Sequence, residues 1–183
     1  MLQPSAVKKV RKRTWRSSAP LLVLVVLVAM TCRLFVWPAL DPLNGLHADA
    51  ILVLGGPGPR LQLAEDLARE HAAPLILVSV ASVQWNCPRV DLGRTVVQCF
   101  RPDPFSTQGE ARYAGEEARR HRWGSIIVVT STPQATRARI RVERCFSGTV
   151  KVVAARPSLA DWAYGVLYEW GALAKALLWQ TSC

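Results

Sequence analysis

From residue 49 onward the chain carries five short apolar runs that show no polar alternation: DAILVLGG (49–56), PLILVSV (74–80), TVVQCF (95–100), SIIVVTS (125–131) and TVKVVAA (149–155). A strand that is apolar on both sides must be buried on both sides, which is the situation in a parallel sheet between two helical layers. Segments of helical character separate the runs. In RLQLAEDLAREHA (60–72), Leu63, Ala64, Leu67 and Ala68 form an inner stripe, and Glu65 stands one turn before Arg69. Residues 106–122, 133–146 and 158–180 read as three further helices. The segment 81–94 has no helical period. It reads as an irregular loop that replaces one crossover helix or packs over the sheet edge. Strands alternating with helices predict a Rossmann-like, three-layer α/β domain over residues 49–183, with a mainly parallel sheet of about five strands. In such domains the ligand crevice lies outside the carboxyl ends of the strands, where the strand order reverses.

The region before this domain has a different character. Of the 23 basic residues, Lys8, Lys9, Arg11, Lys12, Arg13 and Arg16 fall within nine positions. The net charge of +10 is therefore uneven: from residue 45 onward, 16 basic residues face 12 acidic ones, a balance of +4. That distribution argues against a nucleic-acid-binding protein, which needs a basic face on the folded domain. The basic cluster leads into SSAPLLVLVVLVAMTC (17–32), which has no charge, and then Arg33 and LFVWPAL. The uncharged core is slightly short of the roughly 20 residues that span a bilayer. Arg33 can snorkel and Trp37 can sit at the interface, which extends the segment to 17–37. A cleaved signal peptide has the same basic start, but no good small-residue cleavage site follows. The expectation is a basic cytoplasmic segment (1–16), a transmembrane anchor (17–37), a linker rich in proline (38–48) and an extracytoplasmic domain. The chain is then a single-pass cell-membrane protein whose partner is the lipid bilayer.

The cysteines fit that placement. Cys32 falls at the end of the anchor, and Cys87, Cys99, Cys145 and Cys183 lie in the exported part. Four cysteines allow three pairings. Cys87 and Cys99 bracket a short loop and are the first choice, which leaves Cys145 with Cys183. Buried free thiols are the alternative. The three histidines, His47, His71 and His121, are scattered, and no metal-ligand spacing occurs, so no metal site is expected and no cofactor is named.

Three strand ends carry candidate chemistry. The first ends in LGGPGPR, where Gly55 and Gly56 permit close ligand approach and Arg60 opens the next helix. This is neither GxGxxG, since Leu61 stands at the third glycine position, nor a Walker loop, since GK[ST] is absent. The third strand leads to Ser106, Thr107 and Glu110. Thr107 and Glu110 have capping-box spacing; alternatively, Glu110 presents a carboxylate to the crevice as general acid/base or as a holder of a ligand hydroxyl. The fourth strand ends in Thr130-Ser131-Thr132-Pro133-Gln134. Thr132 before Pro133 reads as a helix cap, which leaves Thr130, Ser131, Gln134 and Arg137 to face the crevice. Arg139, Arg141 and Arg144 read as a solvated face, with Glu143 paired to Arg139. The aromatic residues of the last helix read as docking on the sheet, with the membrane surface as the alternative.

The ordered set DAILVLGG, Arg60, Ser106-Thr107-x-Gly109-Glu110-Ala111, VVTS and Arg137-Ala138 resembles the SanA/YdcF/ElyC family of envelope-associated proteins over roughly residues 48–156. The resemblance implies a membrane-tethered Rossmann-like domain with a role in cell-envelope integrity or wall-precursor metabolism. Gln134 stands where the family commonly has histidine, and Ser79-Val80-Ala81 where it often has Ser-Gly-Gly. Glutamine does not titrate near neutral pH, which counts against catalysis more than against binding. The expected function is binding of an anionic, phosphorylated small molecule or lipid-linked ligand in the crevice. An enzyme acting on a phosphate-containing envelope intermediate through Glu110, and a purely structural envelope protein, are the alternatives.

Overall fold

A computed structural model describes residues 15–56, 58–80, 87 and 90–183. Residues 1–14 of the expected basic segment 1–16 and most of the irregular loop 81–94 lie outside the described residues. The five apolar runs form strands β1 (Ala50–Val53), β2 (Leu75–Ser79), β3 (Val96–Phe100), β4 (Ser125–Ser131) and β5 (Thr149–Ala155). They make one sheet, entirely parallel, in the order β3-β2-β1-β4-β5. The order reverses between β1 and β4, so the carboxyl ends of these two strands flank the crevice. Ala50 to Val53 are all buried, as are residues 126–131 of β4, which explains the unbroken apolar runs.

Helices cover both faces. On one side α2 (Arg60–Arg69) packs Ala64, Leu67 and Ala68 against Ile51, Val53, Ile127 and Val129. On the other, α3 (Thr107–His121) and α4 (Ala135–Cys145) place alanines against Leu52, Leu77 and Val128. The small residues let α3 and α4 approach closely: a Cβ at Gly115 would collide with the Cys145 carbonyl.

Ahead of the domain, helix α1 (Trp15–Thr31) continues into a π-helical turn, Cys32–Val36. The stretch Ala19–Val36 has a mean hydropathy of 2.4 and is long and apolar enough to cross a membrane. Its side chains from Leu21 to Met30 are largely exposed, as expected of a lipid-facing helix. The segment expected to be a linker is fastened down. Asp41 donates its N–H to Val152 O at 2.9 Å, and its carboxylate accepts from Val152 N at 2.7 Å and Arg139 Nη2 at 2.6 Å. The end of the segment expected to be the anchor also packs on the domain: Phe35 is fully buried, and Thr136 Oγ1 donates to Leu34 O at 2.6 Å.

The C-terminal helix α5 (Leu159–Leu178) buries only Glu169, Leu173 and Ala176. It does not dock on a sheet face as expected. It lies against the start of α4 and the end of the apolar span, and leaves Tyr164, Tyr168 and Trp179 exposed. Disulfides join Cys87 to Cys99 and Cys145 to Cys183. The second ties Cys183 to α4, and Arg112 Nε of α3 donates to Cys183 O at 2.8 Å. Both disulfides and the exposed apolar helix fit a single-pass membrane protein with a non-cytoplasmic domain.

Two outcomes follow from these fastenings. Replacing Cys145 and Cys183 by serine should lower unfolding stability by about 2–4 kcal/mol, read by denaturant titration of the oxidised proteins. Asp41 is held below its ordinary pKa of 3.8: burial alone would raise it, but the Val152 N–H and the Arg139 guanidinium outweigh that. A carboxylate with a depressed pKa stabilises the fold above its unfolded value and loses that contribution as pH falls through the folded value. The stability gap between wild type and Asp41→Asn should therefore be full at neutral pH and close below about pH 3.8.

Candidate functional site

At the carboxyl ends of the strands lies a cavity of about 410 Å³. Gly55, Gly56, Arg60, Ser106, Thr107, Glu110, Ser131, Gln134 and Arg137 all line it, so the three strand ends that looked separate in the chain meet in one place. Thr130 does not line it. That residue is fully buried, and its hydroxyl has no hydrogen-bond partner among the described residues.

The walls are built from short-range constraints. Gly56 has φ +128, a conformation that disfavours any side chain, and a Cβ there would stand 2.8 Å from the Arg60 guanidinium. The turn therefore folds the glycine pair over the arginine. Arg60 opens α2, with Nη1 donating to Leu54 O at 3.1 Å and to Gly55 O, and Nη2 donating to Ser131 Oγ at 3.0 Å. Gly109 lets the first turn of α3 sit on the Asp103–Pro104 backbone, where a Cβ would collide with the Pro104 carbonyl.

Glu110 is not half of a capping box. The residue before α3 is Ser106, whose side chain makes no cap bond, and Thr107 is the first helical residue. The Glu110 carboxylate instead crosses the sheet edge and accepts the Gly55 N–H at 2.7 Å. Thr132 likewise does not cap. It begins a 3-10 turn, Thr132–Gln134, that follows Ser131 and continues into α4. That turn aims Gln134 inward, and its Nε2 donates to Thr107 Oγ1 at 3.1 Å.

Arg137 reaches the same hydroxyl from Nη1 at 2.9 Å. Its other donors go to Glu169 of α5: Nε to Oε2 at 2.7 Å and Nη2 to Oε1 at 2.6 Å. This is a buried bidentate pair, with a charge-assisted bond on each side of the fork. Burial works against the Arg137 charge, but the Glu169 hydrogen bonds and charge overcome it and raise the pKa. Arg60 is in the opposite condition. It is only 4% exposed and forms no ion pair among the described residues, and its Nε has no partner. Burial lowers its pKa to about 10, the charges of Glu110 and Glu169 offset part of that, and Arg137 adds to it.

The cavity carries more acid than the expected Glu110 alone. Arg60 and Arg137 share it with Glu110, Glu169 and Asp161. The expected solvated face of α4 is also corrected. Arg139 does approach Glu143, at 3.7 Å, but is tied to Asp41 as well. Arg141 is buried on Gln180, and Arg144 donates to Ala176 O at 2.7 Å and Gln180 O at 3.0 Å. These three arginines fasten the linker and the C-terminal tail.

Sequence reasoning missed Glu169 altogether and gave Tyr164 and Tyr168 a docking or membrane role rather than a place in the cavity wall. The signal was present: Glu169 is the acid on the same helical face as Leu173 and Ala176, four and seven residues on. An acid in an apolar stripe requires a buried cation. Among the described residues no cluster of His, Cys, Asp and Glu could hold a metal ion. No protein-family model, curated protein or solved structure matches this chain.

Glu169→Gln should cost about 3–5 kcal/mol in unfolding free energy, because it leaves the Arg137 charge buried without a counter-ion. The double replacement Arg137→Met with Glu169→Leu should cost much less than the sum of the single changes. Denaturant titration of the four proteins checks both statements.

Proposed function

We propose that the cavity binds a small ligand carrying an anionic group, with phosphate as the best-fitting chemistry, and that the protein serves the cell envelope in this way. The observation that carries the reading is the contrast between the two arginines. Arg137 already has its counter-ion in Glu169. Arg60 is a buried cation whose present partners, two backbone carbonyls and the Ser131 hydroxyl, are neutral. A buried charge without a counter-ion is costly, and an arriving anion relieves it. Arg60 also stands in the first turn of α2, where helix N–H groups and the helix dipole favour negative charge. Glu110 and Asp161 on the remaining walls suit hydroxyl or amine donors of the same ligand. A phosphorylated polyol or amine thus fits better than a bare polyanion. The envelope role and the kinship to the SanA/YdcF/ElyC family rest on the sequence resemblance.

A second reading has an observation of its own. Glu110 is buried at the cavity wall, and one of its oxygens is fixed by the Gly55 N–H. That geometry suits a positioned acid/base beside the anion seat, as in hydrolysis of a phosphate ester. Gln134, the counterpart of the family histidine, is engaged with Thr107, and Gln134→His is the change to test for gain of turnover.

Calorimetric titration of the full-length protein in detergent with glycerol phosphate tests the first reading. Wild type should bind, Arg60→Met should weaken binding by roughly tenfold or more, and Arg60→Lys should restore part of it. Near-ultraviolet circular dichroism of each variant guards against misfolding. Equal binding by wild type and a folded Arg60→Met would refute the reading. Release of phosphate that Glu110→Gln abolishes without loss of binding would establish the second.

A further inference from the structure

The outward face of α5 is unlike that of a helix in water, which is normally polar. Leu159, Tyr164, Leu167, Leu178 and Trp179 are each more than 60% exposed, and Tyr168 is 55% exposed. The helix has only three charged residues, Asp161, Glu169 and Lys175, and Glu169 is turned inward onto Arg137. An apolar exposed stripe of this length marks a contact surface.

The position of α5 relative to the apolar span says what that contact is. Trp170, at the middle of α5, donates its indole N–H to Thr31 Oγ1 at 3.2 Å, and its ring meets Phe35 edge-on at 5.3 Å. Thr31 lies five residues before the end of the segment Ala19–Val36. Those five residues form the π-helical turn, so Thr31 is the last α-helical residue of the span. A bilayer that contains the span therefore reaches the level of α5. We infer that α5 lies in the headgroup layer of the membrane. Leu167 and Leu178 enter the acyl boundary, Tyr164, Tyr168 and Trp179 sit at interface depth, and Lys175 snorkels towards the headgroups. Tyr164 and Tyr168 also line the cavity, so the α5 wall is the one nearest the lipid.

The test uses the full-length chain in vesicles of phosphatidylethanolamine and phosphatidylglycerol. A nitroxide amino acid is incorporated at Leu167, at Leu178 or at Val96, an exposed position on β3 at the far edge of the sheet. Relative accessibility to oxygen and to a nickel chelate reports depth. Labels at Leu167 and Leu178 should read roughly 5–10 Å below the headgroup surface, and the label at Val96 should read as aqueous. Labels at Leu167 and Leu178 as aqueous as Val96 would overturn the inference. So would dipolar coupling between labels of two chains, which would assign the face to a second copy.

Discussion

The pair Arg137–Glu169 links the two parts of the structure that the chain alone keeps apart. Arg137 belongs to the first turns of α4, positioned by the end of β4. Glu169 belongs to α5, which has little other buried surface on the domain. The bidentate contact sets where α5 crosses the strand ends, and with it the far wall of the cavity. Buried ion pairs add little net stability, because desolvation offsets attraction, but they are demanding in geometry. Here that geometry is reinforced at the end of the helix by the Cys145–Cys183 bridge and by the bonds from Arg141 and Arg144 to Gln180.

With Arg137 engaged, Arg60 is the cavity arginine with no ion pair among the described residues, and it shares the walls with Glu110 and Asp161. Its guanidinium is held between the Gly55–Gly56 turn, which follows β1, and Ser131, which ends β4, and these two strands pair with each other. The site is therefore carried by the ends of two paired strands. Glu110 is carried there as well, through the Gly55 N–H. One turn thus places a cation and a carboxylate side by side, a preorganised arrangement that suits a ligand with both an anionic group and a hydrogen-bond donor.

Much of this was legible in the sequence. Continuous apolar runs announce buried parallel strands because the sheet leaves no polar face, and all five appear within a few residues of their expected bounds. The disulfides were legible because the exported cysteines are few and two of them bracket a short loop. Local spacing misled where a long-range partner won. Thr107 and Glu110 have the spacing of a capping box, but Glu110 serves Gly55, 55 residues away. Arg141 and Arg144 sit where a solvated face would be, yet the end of α5 and Gln180, 32 to 39 residues on, fold back to them. Glu169 was overlooked for the same reason: helical periodicity shows that a residue faces inward, but not which buried charge it meets.

The proposed function makes Arg60, and not Arg137, the cation that seats the ligand's anionic group. The most direct measurement is a crystal structure of the full chain soaked with tungstate, a phosphate analogue located by its anomalous signal. One strong peak is expected within hydrogen-bonding distance of Arg60 beside the Gly55–Gly56 turn, with the Arg137–Glu169 pair intact. A peak on Arg137 with Glu169 displaced, or a cavity that stays empty while tungstate binds elsewhere on the chain, would contradict it.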